Sequence, residues 1–149
     1  MTATGHALIG TVIAAKIGNP TLAAPIALAS HFVADAFPHW DTAYHRKQES
    51  KQKFVVQTVT DLVLGFLLSY LVIRFFFPST NLLYAFVMII IAQSPDWLTA
   101  PYLFLNWDFA PFTWVYRLQK KFNVELDLPW GFVNQVIAVT ALILLVKIF

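Results

Sequence analysis

Residues 54–77 of this chain read FVVQTVTDLVLGFLLSYLVIRFFF. This run of 24 residues is apolar apart from a few scattered polar side chains, and Pro78 follows it directly. A helix needs about 20 apolar residues to cross the ~30 Å hydrocarbon core of a bilayer. The stretch therefore predicts a transmembrane helix and places the chain among integral membrane proteins.

The composition of the whole chain indicates the same class. Of its 149 residues, 58% are hydrophobic and 12% are charged, whereas soluble domains are about 25% charged. This composition excludes a disordered chain, a nucleic-acid-binding arm and an ordinary soluble enzyme, so we expect membrane lipid around the protein and no nucleic acid as partner. The chain has no cysteine, which excludes a disulfide framework.

Other apolar runs predict further helices on both sides of this stretch. We expect an all-α integral membrane protein, a single domain built as a polytopic bundle of four to five transmembrane helices. The predicted helices cover residues 5–18, 21–37, 54–77, 81–94 and 131–149. The first two form an N-terminal helical hairpin whose arms are short for a bilayer, which leaves the helix count open. Residues 97–116 are aromatic and contain two prolines, and they predict an interfacial segment before the last helix.

The distribution of lysine and arginine predicts the orientation. Residues 42–53 contain four of these cations and residues 117–121 contain three, whereas residues 18–21 and 78–81 contain none. Loops rich in lysine and arginine stay in the cytoplasm. We therefore expect the N-terminus and both basic loops to be cytoplasmic. The multi-pass pattern, with no basic segment of the signal-peptide type at the start, predicts the cytoplasmic (inner) membrane of a prokaryote.

This topology brings ionisable residues from several segments to the cytoplasmic end of the bundle. They are His6, His31, Asp35, His39, Asp41, Asp61 and Asp96. His31 and Asp35 are four residues apart, so they share one face of a helix. A charged aspartate inside the membrane costs ~2.5–3.5 kcal/mol, and a divalent metal held by imidazole and carboxylate groups would compensate it. A polar network that only joins helices is the structural alternative.

The run SHFVADAFPHWD, residues 30–41, gives the sequence a family resemblance. Together with His6 before it and residues 94–96 after it, this run resembles small prokaryotic membrane proteins known as membrane-bound metal-dependent hydrolases, the YdjM-like family. The resemblance implies a set of metal ligands. They are His6, His31, Asp35, His39 and Asp41.

These observations predict a membrane-embedded metal-dependent hydrolase that acts at the cytoplasmic leaflet. One or two divalent ions, zinc first and manganese or iron as alternatives, would activate a water molecule as the nucleophile. Asp61 and Asp96 would act as general base or orient the site. A lipid or lipid-linked phosphoester is the expected substrate because the site lies at headgroup depth and its rim is basic. The rim residues are Arg46, Lys47, Arg117, Lys120 and Lys121.

Two other functions are compatible with parts of the pattern. An ion or proton-coupled transporter or channel would use the same histidines and aspartates to bind or relay its cargo. In the half of the predicted bundle that faces away from the cytoplasm, the charged residues available for such a path are only Lys16, Arg74 and Lys147. A non-catalytic membrane adaptor would dock a partner on residues 97–116, but it gives no reason for the buried acids and histidines. The oligomeric state is left open.

Overall fold

The computed structural model describes residues 1–148 and is built from helices. Within those residues the only strand-like pairing is one isolated bridge between His39 and Glu125. The helices are α1 (Ala3–Lys16), α2 (Pro20–Asp35), α3 (Lys51–Phe76), α4 (Leu82–Leu105), α5 (Phe112–Phe122) and α6 (Trp130–Ile148). Residue 149, the predicted end of the last helix, lies outside the described residues.

Three of the helices, α3, α4 and α6, are long and apolar enough to cross a membrane. The first two helices are shorter. α1 has 14 residues and α2 has 16, about 21 and 24 Å at ~1.5 Å per residue. Both lengths fall short of the ~30 Å core of a bilayer. The all-α class with membrane-type helices is confirmed, whereas the number of spans stays a prediction.

α1 is the central helix of the bundle. It packs against α2, α3, α4 and α6, and it is apolar on every side, which is typical of a buried helix. Glycines allow its neighbours to come close. A Cβ added to Gly10 would lie 3.0 Å from Ile89 Cα and 3.0 Å from the Met88 carbonyl oxygen of α4. Gly65 of α3 packs in the same way against Ala7.

Polar contacts fix where α1 begins along its neighbours. Asp61 of α3 accepts hydrogen bonds from the backbone N–H groups of Ala3, at 2.7 Å, and Thr4, at 3.1 Å. Gln93 of α4 donates its amide to the Ala3 carbonyl at 2.9 Å. The first turn of α1 therefore lies beside the middle of both long helices. The N-terminal part of α3 and the C-terminal part of α4 continue past it.

The fourth helix corrects the sequence prediction. It was expected to stop at residue 94, but α4 continues through Pro95 to Leu105. Pro95 has no N–H for the Ile91 carbonyl, and the hydroxyl of Ser94 donates to that carbonyl instead, at 2.8 Å. A proline is tolerated inside a membrane helix when a side chain satisfies the freed group. Asn106 ends the helix with φ 57°, a left-handed conformation that asparagine adopts readily.

The aromatic region after residue 97 also differs from its prediction. Residues 97–116 do not form one interfacial segment, and the stretch after them is not simply a polar loop. The structure instead contains the end of α4, a loop, and the amphipathic helix α5. α5 packs on α2 and α4, and it buries Thr113 and Gln119 while the Trp114 side chain is 68% exposed. The sequence did not predict α5, because two prolines suggest a broken segment and the three cations after them suggest a loop.

The close packing of α1 on α4 predicts a strong size limit at Gly10. Gly10→Leu should lower the free energy of unfolding by about 1–3 kcal/mol or more, because the new side chain collides with backbone atoms of α4. The control is Gly18→Leu, since an added Cβ there meets nothing within 4 Å. Thermal unfolding in detergent measures both. Equal melting temperatures for the two variants would contradict this packing.

Candidate metal site

The candidate site forms where three helices meet at the N-terminal end of α1. His6 lies in the first turns of α1, His31 and Asp35 lie at the C-terminal end of α2, and Asp96 follows Pro95 on α4. The first three of these side chains are buried. The Asp96 side chain is 42% exposed. We call these four residues the His–Asp cluster.

The ligand atoms of the cluster are close enough to hold a metal ion. One atom each from His6, His31 and Asp96 lies within 4.8 Å of the other two. The two imidazole rings stack with their centroids 3.9 Å apart. Asp35 lies against both rings, with Oδ1 3.2 Å from His6 Nε2 and Oδ2 3.3 Å from His31 Nε2. The structure thus brings together residues that are up to 90 positions apart in the sequence.

The tautomer of His31 is set by the backbone of α4. Its Nδ1 lies 2.9 Å from the Ala92 carbonyl oxygen, and a carbonyl can only accept, so Nδ1 donates. The lone pair of the neutral ring is then on Nε2, which lies 3.5 Å from Asp96 Oδ1. Histidines that bind metals almost always donate their other ring nitrogen in this way. His31 is therefore oriented as a ligand would be, and its Nε2 accepts a hydrogen bond from the Gln119 amide at 2.9 Å, which a bound metal would replace.

His6 is one of several buried side chains whose polar atoms lack a hydrogen bond, although its Nε2 lies 3.2 Å from Asp35 Oδ1. Its ring is 1% exposed, and among residues 1–148 neither of its nitrogens makes a hydrogen bond. Leaving a buried polar group unpaired costs about 1–3 kcal/mol. A divalent metal accepts imidazole nitrogen and carboxylate oxygen as ligands. The donor set at this site fits such an ion.

His39, also predicted as a ligand, lies at the edge of the cluster. Its backbone bridges to Glu125, and its Nδ1 donates to the Phe37 carbonyl at 2.7 Å. Nε2 then points inward, 4.0 Å from Asp35 Oδ1, and the amino group of Met1 contacts both atoms. Burial lowers the pKa of His39, and the charge of that amino group lowers it further.

Two of the other predicted carboxylates, Asp41 and Asp61, do not join the compact group. Asp41 Oδ1 accepts the backbone N–H of Ala43 at 2.7 Å, so Asp41 forms a local turn. Asp61 uses both carboxylate oxygens on the first turn of α1, and its catalytic role stays a prediction. Asp96, predicted as a catalytic acid or base, also supplies a candidate ligand atom.

A cavity of about 740 Å³ opens beside the cluster. It lies between the N-terminal part of α3 and the C-terminal part of α4, under the loop at residues 41–48 and α5. Its polar end includes the carboxylates of Asp35 and Asp96, and its remaining walls are largely apolar. Volumes of about 300–1,000 Å³ are typical of small-molecule sites.

The five cations predicted to form the rim separate into two sets. Arg46, Lys47 and Lys120 line the cavity. Arg117 and Lys121 are exposed on α5 and lie outside the cavity lining as far as residues 1–148 define it.

Arg46 is held in place by two contacts. It donates to the Leu103 carbonyl, and its guanidinium lies 5.5 Å from the centre of the Phe54 ring. This cation is therefore fixed at the mouth of the cavity.

Gln119 is a site residue that the sequence analysis did not identify. Its amide donates to Asp96 Oδ1 at 2.8 Å and lies 2.9 Å from His31 Nε2. It comes from α5, where the lysine and arginine pattern predicts a basic loop. Gln119 shares one face of the helix with Tyr116 and Asn123, at spacings of three and four residues. That helical spacing was the signal available.

Comparison with protein-family models, with curated proteins and with solved structures finds no match to this chain. The site is therefore interpreted from its own geometry.

The two aspartates predicted as catalytic should behave differently when replaced. Asp61→Ala should lower the free energy of unfolding by about 0.5–2 kcal/mol, as loss of a helix cap does, and leave metal binding intact. Asp96→Ala should weaken metal binding instead, because Asp96 supplies a ligand atom. Thermal unfolding and metal content per chain distinguish them. Loss of metal from Asp61→Ala at unchanged stability would contradict its capping role.

Proposed function

We propose that this protein is a membrane-embedded metal-dependent hydrolase that acts on a lipid or lipid-linked phosphoester at the cytoplasmic leaflet. One observation carries the proposal. The ligand atoms of His6, His31 and Asp96 converge within 4.8 Å, and Asp96 of this group also lines a cavity that is large enough for a ligand headgroup. The resemblance of residues 30–41 to YdjM-like proteins implies the same class of reaction.

Some residues of the cluster would bind the ion, and others would orient the residues that bind it. His6, His31 and Asp96 would hold one divalent ion, zinc first and manganese or iron as alternatives. When bound, such an ion lowers the pKa of a water molecule and polarises the scissile group. Asp35 lies beside Nε2 of both imidazoles, so its negative charge would favour a cation held there; the Ala92 carbonyl, on the other ring nitrogen of His31, would keep that ring oriented.

Proton transfer is best assigned to Asp41. Asp61 is occupied by the backbone of α1, and Asp96 belongs to the candidate ligand set. Asp41 lines the cavity, and its Oδ1 is used by Ala43, which leaves Oδ2 to accept a proton. Gln119 would hold Asp96 in position through its amide.

The cations in the cavity wall support an anionic substrate, beside five carboxylates that line the same cavity and that a bound cation would partly neutralise. Arg46, Lys47 and Lys120 line the same cavity as the cluster, and cations close to a membrane surface attract anionic headgroups. The lysine and arginine pattern supports a cytoplasmic N-terminus. The site would then face the cytoplasmic leaflet of a prokaryotic inner membrane.

The packing of the opposite half of the bundle favours a hydrolase over a transporter. A transport path would need polar groups beyond the cluster. In the described residues, the region between α1, α2, α3 and α4 is filled by small and apolar side chains. They are Ala14, Ala23, Ala27, Ile73, Ala85, Met88 and Ala92.

The test is hydrolysis by the purified protein in detergent micelles that contain phosphatidylglycerol, with zinc, manganese or iron added in turn. Asp96→Asn should lower the rate of phosphoester release at least about 100-fold, because metal-site substitutions have effects of this order. The control is Asp108→Asn, an exposed aspartate in the loop after α4, which should keep the wild-type rate. Equal rates for the two variants, or no hydrolysis with any of the metals, would count against the proposal.

A further inference from the structure

We propose that the cleft between α3 and α4 binds an acyl chain of a membrane phospholipid, so that the lipid reaches the His–Asp cluster sideways from the bilayer. This inference names the substrate class and its path, and to that extent it rests on the proposed function. Binding of the lipid, however, requires no hydrolysis and can be measured separately.

The cleft exists because α1 stops where its neighbours continue. α3 and α4 each pack on α1, and their backbones come close to one another at few positions within residues 1–148. They meet through side chains, since Phe54 stacks on Phe104 and Phe66 lies against Phe86. Packed helices lie about 8–10 Å apart, so α1 keeps the two backbones further apart than directly packed helices would be. Past Ala3, where α1 begins, this space is left as the cavity.

The walls of the cleft are apolar and open at the side. Val55, Val59 and Leu62 line it from α3, and Trp97, Ala100 and Phe104 line it from α4. Val59 is 53% exposed and Trp97 is 48% exposed even though both line the cavity. Both helices are long and apolar enough to cross a membrane. The open side would therefore face lipid acyl chains.

The lining of the cavity matches the two parts of one molecule. It combines apolar walls with the cations Arg46, Lys47 and Lys120, of which Lys120 is paired with Glu125. A phospholipid likewise has an apolar chain joined to an anionic phosphate. A free phosphate or a soluble phosphoester has no apolar chain that could contact the apolar walls. The charge and the apolar surface together therefore favour a membrane phospholipid.

The test fills the cleft without touching the cluster. Val59→Trp places a large side chain in the cavity wall, and Val56→Trp is the matched control. Val56 is a valine on the same helix, 58% exposed, and lies outside the cavity lining given by residues 1–148. Each protein is purified in micelles containing phosphatidylglycerol. Native mass spectrometry then counts the lipid retained, and elemental analysis counts the metal.

Wild type and Val56→Trp should each retain about one phosphatidylglycerol per chain, and Val59→Trp should retain at least tenfold less with unchanged metal content. Equal retention by the two variants, or none by wild type, would overturn the inference. If Val59→Trp does not fold, Ala100→Leu on the opposite wall is judged by the same criteria. Selective lipid retention by a protein that binds no metal would support the cleft and contradict the proposed function.

Discussion

The hydrogen bonds from the first turn of α1 to Asp61 determine how the site is built. The first N–H groups of a helix lack partners within the helix, and leaving such groups unpaired inside a membrane costs several kcal/mol. Asp61 accepts two of them, and Gln93 pairs with a carbonyl of the same turn. α1 is thereby held level with the middle of α3 and α4. His6 comes to lie beside His31, and the space past α1 becomes the cavity.

Neighbouring groups fix the orientation of each side chain in the cluster. The Ala92 carbonyl accepts a hydrogen bond from the His31 ring. Asp35 lies against both stacked imidazoles, and the amide of Gln119 donates to Asp96. The nitrogens of the His6 ring make no hydrogen bond among the described residues, and Asp35 Oδ1 lies 3.2 Å from its Nε2. Two imidazoles and two carboxylates therefore meet at one place. This donor set is the physical reason to propose a divalent ion here.

Much of this arrangement could be predicted from sequence because it depends on local spacing. The four-residue step from His31 to Asp35 places both on one face, and apolar runs of sufficient length indicate membrane helices. Contacts between distant segments were harder to predict. Pro95 alone predicts the end of a helix. The helix continues because the Ser94 hydroxyl donates to the Ile91 carbonyl that Pro95 leaves without a backbone partner. An acid within an apolar helix suggests chemistry, and only the fold shows that Asp61 caps α1. Gln119 reaches the site through packing of α5 that no local pattern reveals.

The proposed function depends on one divalent metal held by His6, His31 and Asp96. X-ray absorption spectroscopy at the zinc edge, on zinc-loaded protein purified without a histidine tag, detects such a site. We expect scattering from two imidazole rings with Zn–N distances of about 2.0–2.1 Å. One ring should disappear in His31→Gln and none in His45→Gln, since His45 pairs with Asp127 outside the cluster. A shell of oxygen ligands without imidazole scattering, or no stoichiometric zinc, would contradict the account.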